Sequence, residues 1–350
     1  MRAHESASGK VFNVRVALFG ALVAGALAGC GGSSSGTGAM SGSAGPNSPL
    51  TITQSNATAT AAEAIVTPAT LAGSAAMGTA ASAAVPASLG AIDRRVVQRL
   101  MSSANALPAA GGTVTVPCAV GGSFTAVTSA DAMTVTVTFA GCSEVAGTSI
   151  GGTQTYTNLM VTTQSSLETI SANVTDALTI VVGTVSFSVA GDYAFSFSAN
   201  KTASGFSTET FGLTGSTLAI SVSKSGAVSD SVTLTNFDFS FEEDLTVSPH
   251  QLYSSFHYVL ASSHLNGEIT VTTTEQFKQI VDPAQTRLFP YTGQLMIEGA
   301  AGMRLQVTVL GDETFVPPAG EGQIELQLDS GTGTFEPATW LSWAALAATG

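Results

Sequence analysis

The sequence predicts an all-β fold built as one large antiparallel β-meander, and three observations predict it. From about residue 112 to about 336, apolar residues alternate with Thr, Ser, Gln or acid in run after run. Most runs are bounded by Gly, Asn, Asp or Ser, the residues that make turns. The runs recur every 8 to 14 residues or so, which leaves only short connections, so successive strands pair antiparallel.

The chain begins differently. Residues 1–15 carry Arg2, Lys10 and Arg15 against Glu5, and residues 16–28, "VALFGALVAGALA", carry no charge. A basic stretch followed by a short apolar core is the layout of a secretory signal. The run falls short of the roughly 20 apolar residues that a spanning helix needs. It ends Leu27-Ala28-Gly29-Cys30 and passes into a Gly/Ser tract. This stretch resembles the lipobox of bacterial lipoproteins. The resemblance implies a signal peptide over 1–29, lipid on the Cys30 thiol, cleavage before Cys30 and acylation of the new amino terminus. Each buried lipid methylene contributes about 0.8 kcal/mol, so two or three chains hold where one holds weakly. Gly31 stands where an aspartate would signal inner-membrane retention. The expected location is therefore the outer membrane, facing periplasm or exterior.

Residues 31 to about 86 are mostly Ala, Gly, Ser and Thr, with almost no large apolar side chain. Such a composition buries too little surface to offset its ordering entropy. Residues 30–86 are thus expected to be the lipidated cysteine on a disordered tether, with a fleeting helix at "ATAAEAIV". Residues 88–106, "SLGAIDRRVVQRLMSSANA", form the one good helix. Ile92, Val96 and Leu100, with Val97 and Met101, recur at three- and four-residue spacing, and Asp93, Arg94, Arg95, Gln98 and Arg99 lie between them. Pro108 and Gly111-Gly112 stop it. Its apolar stripe suits packing on a sheet; an arginine face meeting anionic lipid is the alternative.

The alternating runs follow: "MTVTVTFAG", "GTVSFSVAG", "YAFSFSAN", "LAISVSKSG", "VTLTNFDFSFEED", "GEITVTTTEQF", "YTGQLMIEG", "MRLQVTVLG" and "GQIELQLDSG". One face of each is aliphatic or aromatic and the other is hydroxylated. A flat sheet of over a dozen strands curls, so 87–350 is expected to be a single β-rich domain: a half-open barrel, barrel or sandwich with one N-terminal packing helix. A transmembrane barrel shares the alternation. Against it stand a thin aromatic girdle, with 2 Trp and 5 Tyr in the chain, and an end, "AALAATG", that lacks an aromatic. The closing "TWLSWAALAATG" suits a short helix covering a sheet edge, with an amphipathic tail as the alternative.

Net charge is −13, and loss of residues 1–29 makes the chain more acidic still. The basic residues cluster only at Arg94, Arg95 and Arg99, which argues against a nucleic-acid partner. With Cys30 lipidated, Cys118 and Cys142 remain as an even pair in an exported chain and read as a disulfide, able to pin two strands of one hairpin. Two free thiols or a metal pair are the alternatives.

Each hint of chemistry has a plainer account. Gly147-Thr148-Ser149-Ile150-Gly151 and Gly32-Ser33-Ser34-Ser35-Gly36 match G-x-S-x-G, but the hydrolase elbow needs a strand before it and a helix after it. His250, His257 and His264 are spaced seven apart, and along a strand such residues face opposite sides. Asp238, Glu242 and Asp244, with Glu243, form the densest acidic cluster, with Asp238 and Glu242 opposite Phe237, Phe239 and Phe241. Asp312, Glu313 and Asp329 are similar acidic turns. Calcium takes about six to eight oxygens in a recognisable loop, which none of these completes. Asp238, Glu242, Asp244, His250, His257 and His264 remain the metal-ligand candidates, and solvated strand edges and turns are their plainer account. No catalytic residue and no cofactor is assigned. Many of the 17 phenylalanines fall in strands 187–256 and read as core, or as the lining of an apolar cavity. The expected function is a non-enzymatic lipoprotein held to the outer membrane by its lipid, with a β-domain for binding an envelope protein or for envelope structure. A carrier of an apolar or lipid ligand is the alternative, and a hydrolase comes third.

Overall fold

The computed structural model describes residues 47–72, 92–93, 96–97, 110–143, 147–202, 205–224, 227–248, 250–280, 290–311, 322–347 and 349. The signal segment, Cys30, the Gly32–Gly36 motif, Asp312 and Glu313 lie outside the described residues.

The alternating runs form one fourteen-stranded sheet. Its strands are β1 (Thr113–Pro117), β2 (Gly121–Thr128), β3 (Thr134–Ser143), β4 (Thr148–Thr163), β5 (Leu167–Val182), β6 (Val185–Thr202) and β7 (Gly205–Lys224), then β8 (Ala227–Asp244), β9 (Gln251–Ser262), β10 (Gly267–Ile280), β11 (Thr292–Glu298), β12 (Arg304–Val309), β13 (Gly322–Asp329) and β14 (Thr339–Ser342). They lie in chain order and each pairs antiparallel with the next, and β1 and β14 do not pair, so the sheet is not closed. The central strands are longer than the spacing of turn residues implied. "GTVSFSVAG" and "YAFSFSAN" are one 18-residue strand, β6, because Gly191 sits within the ladder rather than at a turn.

Period-two burial runs the length of β5. Ile170, Ala172, Val174, Asp176, Leu178 and Ile180 are buried, while Asn173, Thr175, Ala177 and Thr179 are exposed. Where the pattern changes parity, a bulge accounts for it. Asn158 and Asn236 adopt positive φ beside register shifts in β4 and β8. An extra residue flips every side chain after it. Val232 and Leu234 are therefore buried before Asn236, and Phe237, Phe239 and Phe241 after it.

Residues 47–65 are not the expected tether. Leu50 and Ile52 are buried, and Pro49 bridges Glu268 beside β10. Helix α1 (Ala57–Ala72) follows, with Ala61, Ala62, Ala64 and Ile65 fully buried. Tyr258 on β9 donates to the Ala64 carbonyl, and Ser262 donates to Glu63 at 3.0 Å. The tether expectation counted large apolar residues and found few. Alanine buries little area, but it is the best helix former and lets a helix backbone approach a sheet closely. Of the helix expected over 88–106, Ile92, Asp93, Val96 and Val97 are described; all four are helical and buried. The rest, including Arg94, Arg95 and Arg99, lies outside the described residues. At the C-terminus, Trp340 stands exposed on β14, while Trp343 and Leu346 of the short helix α2 (Trp343–Ala347) are buried, with α2 in contact with α1 and β13. Among the described residues no helix is long and apolar enough to cross a membrane.

Candidate functional site

The inner face of β4, β5 and β6 carries polar side chains at positions where the alternation places core. Gln154 and Tyr156 on β4, Asp176 on β5 and Tyr193 on β6 occupy inward positions, and Gln154 pairs directly with Asp176 across the ladder. Asp93 completes the group from the helical segment above. None is more than 4 % exposed. The residue directly across from Asp176 on β6 is Gly191. A Cβ there would lie 2.4 Å from the Thr217 carbonyl oxygen, so only glycine keeps this stretch of ladder intact.

Six short contacts join the five side chains. Gln154 Nε2 donates to Asp93 Oδ1 at 3.0 Å and to Asp176 Oδ1 at 2.9 Å. The Tyr156 hydroxyl lies 2.9 Å from both Asp93 Oδ1 and Gln154 Oε1. The Tyr193 hydroxyl lies 2.8 Å from Asp93 Oδ2 and 3.0 Å from Asp176 Oδ2. Burial, and after it the Asp176 charge, pushes the Asp93 carboxyl well above the usual carboxylate range, against the pull of hydrogen bonds from Tyr193, Tyr156 and Gln154. Asp176 is pushed up to about 7, chiefly by burial, with Asp192 adding to the effect and hydrogen bonds from Gln154 and Tyr193 opposing it. Burial and the two carboxylates also raise both phenols, which stay protonated. A carboxyl pair can serve acid–base chemistry only where a substrate reaches it. This pair is enclosed, so what it can do is hold protons and hold the Asp93 segment on the sheet.

The residues singled out from the sequence lie elsewhere. Cys118, just after β1, and Cys142, in β3, are joined by a disulfide with Cα atoms 5.5 Å apart. It ties the β1–β2 connection, whose Val120 N–H donates to the Ser143 carbonyl, to the end of β3, rather than two strands of one hairpin. His257 is on the outer face, in register with Asp238, and its Nδ1 lies 3.0 Å from Thr272 Oγ1. His250 precedes β9, and His264 lies in the β9–β10 turn, near Glu63, whose carboxyl is pushed up by burial and then by Asp230, with Ser262 and His264 only opposing the rise. Glu242 is exposed opposite Tyr253. Asp244 accepts from the Thr246 backbone N–H and hydroxyl at 2.8 and 2.7 Å, which lowers its pKa. Among the described residues no three His, Cys, Asp or Glu side chains are grouped to hold a metal ion. Ser149 is inside β4 with strand on its C-terminal side, the wrong setting for a nucleophile elbow. Asp329, in "DSGTG", is held down to about 2, first by Arg304 at 2.6 Å and then by the backbone N–H groups of Gly333, Thr332 and Gly331.

Reasoning from sequence missed the five-residue network. The signal was present: Gln154 and Asp176 interrupt the apolar set at core parity, Asp176 between Val174 and Leu178. No protein-family model, no curated protein and no solved structure matches the chain.

Proposed function

We propose that this chain is a lipid-anchored envelope protein of the outer membrane, with lipid on Cys30 and a non-enzymatic β-domain for binding or for envelope structure. The observation that carries the reading is the polarity of the sheet. Most of its apolar side chains point inward and are buried, while Thr, Ser, Asn and Ala, with a few apolar side chains such as Val127, Met160 and Val181, face out. That is the reverse of a membrane-inserted barrel, whose outward band is apolar. A domain with a hydroxylated exterior stands in water and needs a separate anchor, which the Leu27-Ala28-Gly29-Cys30 stretch would supply. The enclosure of the Asp93–Asp176 network supports a non-enzymatic role. The direct test is metabolic palmitate labelling with membrane fractionation. The wild type takes up label and sediments with outer membrane, and Cys30→Ser does neither. A Cys30→Ser protein that stays in the membrane fraction overturns the reading.

One observation favours a second reading, a carrier of an apolar ligand. Phe195, Phe211, Phe241, Phe256 and Phe277 form a continuous aromatic row across β6 to β10, with ring centroids 5.7 to 5.9 Å apart, inside a sheet that is not closed. Native mass spectrometry of the purified protein separates the two readings. A discrete lipid adduct beyond the covalent anchor supports the carrier, and an apo mass supports a self-filled core.

A further inference from the structure

The five-residue network holds more contacts than its amide and phenol hydrogens can fill. Gln154 Nε2 carries two hydrogens and each tyrosine carries one, so four hydrogens face six contacts. Both tyrosines are over-committed. Tyr193 has one hydrogen for Asp93 Oδ2 and Asp176 Oδ2, and Tyr156 has one for Asp93 Oδ1 and Gln154 Oε1. A proton on Asp176 Oδ2 can donate to the Tyr193 oxygen, which frees the Tyr193 hydrogen for Asp93. A proton on Asp93 Oδ1 can do the same at Tyr156, which then donates to Gln154. With both protons in place all six contacts are hydrogen bonds. With neither, two contacts are oxygen facing oxygen and two carboxylates share one enclosed site.

We propose that Asp93 and Asp176 form a proton-loaded clamp, which fastens the helical segment of Ile92, Asp93, Val96 and Val97 to β4–β6 at low pH and loosens it as pH rises. Asp93 supplies three of the six contacts, so the network and the buried Ile92, Val96 and Val97 dock the segment together. The titratable groups facing the pair are Tyr156 on β4, Asp176 itself on β5 and Tyr193 on β6. Asp192 acts on Asp176 from the outer face of β6. No basic side chain among the described residues contacts either carboxyl. Opening exposes both carboxyls to water, where they ionise and release their protons to solvent, so opening is favoured by alkali and opposed by acid. The raised proton affinity of both carboxyls, caused mainly by their burial, is in keeping with this.

The test is hydrogen-exchange mass spectrometry on the intact mature protein from pH 5 to pH 9, corrected for the pH dependence of intrinsic exchange. The opening constant of amides in 92–97 should rise by up to about tenfold per pH unit for each proton released. Asp176→Asn, which keeps shape and polarity but cannot ionise, should flatten that rise. A wild-type opening constant that does not change with pH overturns the clamp, as does an Asp176→Asn protein with the wild-type slope. Should Asp176→Asn fail to fold, infrared spectra of Glu63→Gln, which removes a further buried carboxyl that burial pushes upward, decide the matter. A protonated-carboxyl carbonyl band at pH 7 supports the clamp, and its absence overturns it.

Discussion

Asp176 occupies a core position with Val174 and Leu178 on either side, and that placement sets its behaviour. An ordinary aspartate titrates near 4 in the unfolded chain, and in the fold this one is pushed up to about 7. Between those values the folded protein binds more protons than the unfolded one, so stability falls as pH rises. The contribution is whole below about pH 4 and is lost on approaching about pH 7. Urea midpoints measured across that window should fall more steeply for wild type than for Asp176→Asn; parallel curves would show that Asp176 does not titrate there. Asp93→Ala should destabilise at every pH in the window by about 1–3 kcal/mol, because it strips partners from buried Gln154, Tyr156 and Tyr193. Part of this scale is legible in sequence. Asn158 and Asn236 stand where the alternation changes parity, and asparagine is among the residues that tolerate positive φ. What could not be read is that Asp93, one polar residue among arginines, would point into the sheet and meet a carboxyl 83 positions later.

At the scale of elements, the strands were predictable and the packing of α1 was not. Alternation alone marks β3, β6 to β8 and β10 to β13, since period-two burial is a local property of a pleated strand. Helix α1 derives its stability from contacts with β9, β12, β13 and α2, and those partners are far away in sequence. Ile65 is fully buried in this contact. Ile65→Ala should therefore cost about 2–5 kcal/mol of unfolding free energy in denaturant melts, whereas the same change in a free tether costs nothing. The disulfide acts at the opposite end of the sheet. Cys118 and Cys142 are 24 residues apart, and replacing both with serine should lower stability by roughly 3 kcal/mol, read as a lower Tm under non-reducing conditions. An unchanged Tm would mean that the short β1–β3 edge unfolds separately from the body. Gly215 is a further element-level contact: a Cβ there would sit 2.3 Å from Phe237 Cζ, so β7 offers bare backbone on which an aromatic of β8 rests.

Taken whole, the molecule is one long meander with its apolar face inward, where α1 packs against β9, β12, β13 and α2 and Asp93 bonds to β4 and β6. The exterior is rich in hydroxyls and the chain is acidic overall. On the proposed reading, membrane attachment would rest on lipid at Cys30 alone, and detergent phase separation tests it. Wild type should partition into the detergent phase and Cys30→Ser into the aqueous phase. Recovery of Cys30→Ser in detergent would point instead to a membrane-binding surface on the domain.

The sequence by itself determined the all-β class, the antiparallel meander and the inward polarity of the strands, because each follows from neighbours within about a dozen residues. It also marked the cysteine pair that the fold joins. Only the tertiary structure decided that the sheet stays open, that an alanine-rich segment packs on it, and that Asp93, Gln154, Tyr156, Asp176 and Tyr193 share one enclosed site. Those outcomes depend on which distant surfaces meet, and burial turns a residue unremarkable in water, such as Asp176, into one that holds a proton at neutral pH.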